Sequence, residues 1–261
     1  MFEALAIGAT GMQAQQTSIE TIAHNLANAN TVAFKKGRVG FSDLMLRESV
    51  RGVSAEDNTA ATPLQRSAAG VAATSVTRMF EAGDLKKTDS PLDIAIRGEG
   101  FIEVTLADGS AGYTRGGSLK VNKDGLLATQ AGQVLRPSIS VPDNAESISI
   151  GADGRVLIRI ANRATPIDAG QIELVRFANP SQLAIQGDNL YRATEASGEA
   201  VVARSGDTGA GTLAQGFVEM SNVKMVDEMV NLMLAQRAYE ASVKVVQAAD
   251  EMLGMANNLR K

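Results

Sequence analysis

One imidazole, His24, and a scatter of carboxylates are the residues on which acid–base chemistry would have to rest in this chain. A lone histidine excludes any mechanism that needs two imidazoles. Its neighbours Ile22, Ala23, Asn25 and Leu26 place it on a helix, as a structural or solvent-facing side chain. The paired acids Glu56/Asp57 and Asp250/Glu251 are sequence neighbours. Adjacent side chains on a helix point about 100° apart, so Asp250 and Glu251 make a poor acid/base pair and read as a solvated face. Gly98-Glu99-Gly100 lacks the third glycine and the following helix of a dinucleotide fingerprint, and reads as a turn between strands. No phosphate loop with GK[ST] occurs. Lys35, Lys36 and Arg38 form a small basic cluster. The net charge of -4 and an aromatic content of 4% argue against nucleic acid as its partner. The expected role of that cluster is a turn that meets a neighbour's acidic side chain or water. With no cysteine, disulfides, thiolate zinc sites and iron–sulfur clusters are excluded. No catalytic, cofactor-binding or metal-binding residue is expected.

The remaining chemistry is that of surfaces, and the elements that would present them are legible. From about residue 2 to 28 there is no proline, and Leu5, Met12, Ile19 and Leu26 recur at every seventh position, with Ala9 and Ala23 in the companion row. That spacing is a coiled-coil-like seam. Gly8 and Gly11 lie inside it, each costing about 1 kcal/mol relative to alanine, which close approach of another helix would offset. From about 223 to 259, Met225, Leu232, Tyr239, Val246 and Leu253 repeat at seven-residue intervals, and Ala235, Ser242, Ala249 and Ala256 follow the last four by three. Large residues alternating with small ones make a narrow seam. Ser221 or Asn222 is the expected cap.

Between these helices the texture changes. Apolar runs at 92–96, 101–106, 148–150, 156–160 and 172–177 are separated by glycine turns, with Asp108-Gly109, Asp124-Gly125 and Asp153-Gly154 placed as hairpin connections. The expected fold is α+β: long terminal coiled-coil-like helices flanking a mainly antiparallel β domain, a sandwich or irregular barrel. The expected division is 1–39 (helix and turn), 40–85 (an extended connector that orders on assembly), 86–215 (β body) and 216–261 (helix completing the helical core). Residues 205–211 read as a flexible return. Both helical stripes run nearly the whole helix. Pairing with each other inside one chain competes with self-association, and self-association is the simpler account of the leftover small-residue surface. The four methionines between 220 and 233 fit an interface.

The run Asn25-Leu26-Ala27-Asn28-Ala29-Asn30-Thr31-Val32-Ala33-Phe34-Lys35 resembles the N-terminal signature of the flagellar rod and hook family, NLAN-x-NT-x-GFK. Ala33 stands where that family has glycine, so a positive φ there would strain it. Residues 216–223, then Gln236-Arg237-Ala238-Tyr239-Glu240 and Asp250-Glu251-Met252-Leu253, resemble its other signature. Residues 92–101, 113–118, 177–180 and 187–191 match its body domain.

The resemblance covers nearly the whole chain in order, and length and connector resemble the distal-rod branch. It implies a structural, non-enzymatic subunit that polymerises with itself into a hollow drive shaft with terminal helices inside. It further implies contact with proximal rod proteins, hook protein, the periplasmic and outer-membrane bushing rings and the type III export apparatus, and residence in the basal body across the periplasm. Neither nucleic acid nor membrane insertion is expected. The N-terminus lacks the basic region of a cleaved signal and no apolar run reaches the roughly 18–20 residues of a bilayer span, so export without a cleaved signal is expected. The expected assembly residues are Leu5, Met12, Ile19 and Leu26; the signature turn Asn28, Asn30, Thr31, Phe34 and Lys35; and Met225, Leu232, Ala235, Gln236, Arg237, Tyr239, Val246, Ala249 and Leu253. A proximal-rod or hook-type subunit, and a carboxylate-dependent cell-wall hydrolase, are the alternatives.

Overall fold

The computed structural model describes residues 2–47, 66–161, 163, 165–207 and 209–258. They fall into two compact units, each discontinuous in sequence. A helical unit draws on Met1–Leu26, Gly37–Thr77 and Met225–Lys261, and a β unit on Ala27–Lys36 and Arg78–Lys224. The fold is α+β, with a helix at each end of the chain and a mostly antiparallel β region between. No helix among the described residues is long and apolar enough to cross a membrane.

In the helical unit, α1 (Phe2–Ala27) and α2 (Met225–Asn258) pack together through small residues. A Cβ built on Gly8 would lie 2.6 Å from Val246 Cγ2, and one on Gly11 would lie 3.5 Å from Ser242 Oγ. On α2, Ala235 and Ala249 are buried, with Leu232, Ser242, Val246 and Leu253 half-buried on the same stripe. The helices therefore do pair within one chain. Gly8→Leu is expected to force them apart and cost about 1–3 kcal/mol. Gly11→Ala, with room for its methyl, is expected to gain up to about 1 kcal/mol of helix propensity. Thermal melts of the two variants should move in opposite directions.

The stretch expected as a connector holds β1 (Gly37–Arg47) and β2 (Arg66–Arg78), which pair as a two-stranded sheet in this unit. Residues 48–65, including Glu56/Asp57, lie outside the described residues. In the β unit, β3 (Leu85–Lys87), β4 (Asp93–Arg97), β5 (Phe101–Thr105), β6 (Ala111–Thr114), β7 (Gly116–Val121), β8 (Leu127–Thr129) and β9 (Val134–Leu135) come first. Then follow β10 (Ala145–Ile150), β11 (Arg155–Ile160), β12 (Ile167–Gln171), β13 (Leu174–Arg176), β14 (Ala184–Gly187), β15 (Leu190–Arg192), β16 (Val201–Ala203), β17 (Thr212–Gln215) and β18 (Phe217–Glu219).

The main sheet runs β14-β15-β6-β5-β9-β8-β7-β4-β17, with β13 joining β5 to β16. A three-stranded sheet β10-β11-β12 and the pair β18-β3 complete the unit. One apolar cluster (Ile94, Ile96, Ile102, Leu127, Leu135, Val156, Ile158 and Leu174 among its members) draws on the main and the three-stranded sheets together. Strand β11 alternates strictly, burying Val156 and Ile158 and exposing Arg155, Leu157 and Arg159.

The three Asp-Gly pairs do make the expected hairpin turns, with Gly109, Gly125 and Gly154 at positive φ between antiparallel partners. Residues 27–36 group with the β unit, although sequence texture attaches that turn to the helix before it. The stretch read as a flexible return is tied at its two ends: the Ser205 hydroxyl donates to Ala152 O at 2.7 Å and accepts from Leu213 N at 3.2 Å, and Gly211 N donates to Glu99 O at 2.7 Å.

Candidate functional site

Two side-chain hubs gather the motif residues, one in each unit. In the helical unit the hub is Asn25, in the last turn of α1. Its amide nitrogen donates to Gly37 O (2.9 Å) and to Glu228 Oε2 (3.3 Å), and its oxygen accepts from Gly37 N (2.8 Å). Glu228 sits in the first turn of α2, where the helix dipole favours a carboxylate. One amide thus joins the end of α1, the start of β1 and the start of α2. Both partners are buried and satisfied. His24, beside it, is exposed at the C-terminal end of α1, where a basic side chain suits the dipole.

In the β unit the hub is Glu219, on β18. Lys35 Nζ donates to its Oε1 at 2.6 Å, and Arg115 grips both oxygens, with Nε to Oε2 at 3.1 Å and Nη2 to Oε1 at 3.2 Å. That two-pronged geometry is the strong form of the ion pair. Arg115 also donates to the carbonyls of Gly100 (2.8 Å) and Gly98 (2.9 Å), and Lys35 donates to Glu81 O (2.7 Å). Gly98-Glu99-Gly100 is therefore a turn between β4 and β5 whose carbonyls receive a guanidinium. Gly83 N donates to Glu219 Oε1 at 2.9 Å, an approach that only glycine allows, because a Cβ there would meet Met220 O at 2.0 Å.

All three charged groups are buried, at 0% (Lys35), 2% (Arg115) and 1% (Glu219) exposure. Burial by itself would raise the Glu219 carboxyl, but the charges and hydrogen bonds of Arg115 and Lys35 outweigh it and hold its pKa below the usual value. Burial lowers the Lys35 ammonium, against the upward pull of Glu219. A carboxyl with a depressed folded pKa contributes stability above its unfolded value, and that stability is lost as pH falls through the folded value. The β unit should therefore weaken progressively below about pH 4.5. A Glu219→Gln variant should lose that part of the slope. Urea midpoints of both proteins between pH 7 and 3 check it, and parallel curves would count against it.

Lys35 corrects an expectation: its acidic partner lies 184 residues away in the same chain, and water has no access to it. Its neighbours complete the turn. Thr31 Oγ1 donates to Asn28 Oδ1 and Phe34 N to Thr31 O, while Asn30 is exposed. Phe34 is buried, with the Arg78 guanidinium 4.8 Å from its ring centre. Ala33, at φ 58, is a buried alanine in the left-handed region, and its N–H donates to Glu219 O at 2.7 Å. The strain of that conformation is about 1–2 kcal/mol. Asn222 does not cap α2, which starts three residues later. It receives Lys36 N at 2.8 Å and donates to Met79 O at 2.8 Å.

Among the expected assembly residues, Leu5, Met12, Ile19 and Leu26 are half-buried on α1. Leu232, Ala235, Val246, Ala249 and Leu253 lie on the α2 stripe described above. Met225, Gln236, Arg237 and Tyr239 are exposed. So are Val226, Val230, Met233, Leu234, Val245, Met252 and Met255. With Arg237, Ala241 and Ala248 these repeat every three or four residues and form a second, largely apolar stripe on the side of α2 opposite the first. The hub residues Asn25, Arg115, Glu219 and Glu228 were not singled out from sequence as site residues. The available signal was charge inside apolar strand text, at Tyr113-Thr114-Arg115 and Phe217-Val218-Glu219.

Comparison with known proteins accounts for both ends and the body. Residues 5–35 match a model of the flagella basal body rod protein, 95–158 the flagellar hook protein FlgE/F/G D1 domain, and 214–259 the flagellar basal body rod FlgEFG protein C-terminal domain. The chain is 41% identical to the flagellar basal-body rod protein FlgG of Borreliella burgdorferi, covering 100% of both chains. It is 41% identical to FlgG of Caulobacter vibrioides over 99% of both. Against FlgF of the same organism, identity falls to 33% over 97% of this chain and 95% of the other.

Proposed function

Since the chain belongs to the flagellar basal-body rod protein family, we propose that it is a structural subunit of the distal rod, polymerising with copies of itself into a hollow helical shaft that carries torque from motor to hook. It is a structural protein and not an enzyme. The observation that carries the reading is the double-sided α2. One apolar stripe is occupied by α1, while the opposite one, from Val226 to Met255, stands in solvent with Val226 at 73% and Leu234 at 59% exposure. A contiguous exposed apolar stripe on a helix is an association surface. Neighbouring subunits would cover it, with Arg237 as its polar member. The heptad spacing of both helices supports coiled-coil-like pairing in the shaft, and the core drawn from two sheets supports a sandwich-like body.

In this reading the ends of the rod meet proximal rod proteins below and hook protein above, and its sides meet the bushing rings. The chain reaches the periplasm through the type III export apparatus. The 41% against 33% identities favour the distal over the proximal position. Electron microscopy of basal bodies from a strain lacking the gene tests it. Short rods without hook or outer ring are expected, and complete hook–basal bodies would overturn the assignment.

A further inference from the structure

We infer that Lys35, Arg115 and Glu219 form a charge lock that makes docking of the N-terminal turn conditional on arrival of the C-terminal strand, so that the β unit closes only when both ends of its chain are in place. The geometry carries three points. First, the cluster holds two cations and one carboxylate, all nearly without solvent, and among the described residues Glu219 is the only carboxylate in contact with either cation. Second, the three come from distant parts of the chain: Glu219 lies 184 residues after Lys35 and 104 after Arg115. Third, Glu219 ties the pieces by backbone as well, accepting Ala33 N through its carbonyl, while Met220 N donates to Asp84 O beside it.

Before Glu219 is present, seating Lys35 beside Arg115 would bury two like charges with no counter-charge, which is strongly unfavourable. The turn at 31–36 is tied to earlier segments as well, through Asn189 to Val32 O, Arg78 to Lys35 O and Met79 N to Lys36 O, but the buried Lys35 charge is balanced by Glu219 alone, and Asn222, which receives Lys36 N, arrives with the same C-terminal segment. The sheet core depends on Glu219 far less, since β4 pairs with β7 and β5 with β6, the two pairs joined through β9 and β8, and all of these strands precede β18 in the chain. The result is a unit whose core forms early and whose N-terminal joint forms last.

Hydrogen exchange on the full chain reads this directly. In Glu219→Gln, the amides of Ala33, Lys36, Gly83 and Met220 should exchange roughly 100-fold faster than in the parent, while Ile102 and Val104 in the core keep parental protection. In the double variant K35M/E219Q, which keeps Arg115 on the carbonyls of Gly98 and Gly100, protection of the turn should return to within about tenfold of the parent, because no ammonium is then seated beside the guanidinium. Three results would overturn the lock. Unchanged turn protection in Glu219→Gln means the carboxylate is not the condition. Equal loss in the core means that Glu219 is a general stabiliser with no selective hold on the joint. A double variant as unprotected as Glu219→Gln means that shape, and not charge, seats the turn.

Discussion

Arg115→Met is expected to destabilise the β unit by about 3–5 kcal/mol, the usual cost of removing one member of a buried ion pair. With a urea slope of about 2 kcal/mol/M, the unfolding midpoint should fall by roughly 2 M. The reason is what the substitution leaves behind. Arg115 spends four donor contacts, two on Glu219 and one each on Gly98 O and Gly100 O, and methionine replaces none of them. Three acceptor atoms then lose their partners in a site with no water to replace them. Lys35→Met should cost less, because Glu219 keeps its two-pronged guanidinium and the loss is confined to Glu81 O and one oxygen of Glu219. A buried ammonium also carries a desolvation cost of its own, visible in the downward push on the Lys35 pKa. Equal midpoints for the two variants would refute this ranking. A larger loss in Lys35→Met would mean that the ammonium, and not the guanidinium, is the main partner of Glu219.

Local signals carried most of the fold. Asp-Gly pairs specify hairpins because their turns need positive φ within two or three residues, so Gly109, Gly125 and Gly154 were readable one at a time. The α2 seam was readable where the helix phase agrees with the heptad. An unsupercoiled helix drifts about 20° per heptad against a strict seven-residue repeat, so Met225, four heptads before Leu253, has turned out of the seam by about 80°. It is 45% exposed for that reason. Tyr239 and Gln236 sit at the flank of the same stripe. The opposite stripe of α2 was less legible, since Arg237, Lys244 and small alanines interrupt it and its meaning depends on what α1 leaves uncovered.

The ionic hub was illegible for a different reason. Lys35 reads as one of three basic residues after a helix, and nothing within 30 residues of it announces a buried carboxylate partner. Long-range pairing decides its environment: a lysine that looks solvated by its neighbours becomes one of the most buried side chains in the chain. The same holds for Asn222, whose type and position fit a helix cap but whose amide is committed to Lys36 and Met79. The family signature at 25–35 and the one at 216–223 are thus linked by direct contact between Lys35 and Glu219, which gives both motifs a structural reason that neither shows alone.

Met233→Asp should stop rod assembly while leaving the single chain folded. Met233 is 53% exposed on the outer stripe of α2, so a charge there changes monomer stability by no more than about 0.5 kcal/mol. Seated against another subunit, the same carboxylate would have to give up water with only Arg237, one turn away, as a nearby cation, and an unpaired charge in an apolar contact is not tolerated. A helical polymer repeats each contact in every subunit, so one unfavourable term is met at every step of growth. Leu253→Asp separates the two faces of the helix. Leu253 is half-buried on the stripe toward α1, and its replacement should lower the melting temperature of the isolated chain as well as block assembly. Circular dichroism of the purified variants and basal-body microscopy of the mutant strains distinguish them. Full-length rods built from Met233→Asp protein would show that the outer stripe is not covered in the shaft. Rods lost together with monomer helicity would show that α2 folds only as far as its outer face is supported.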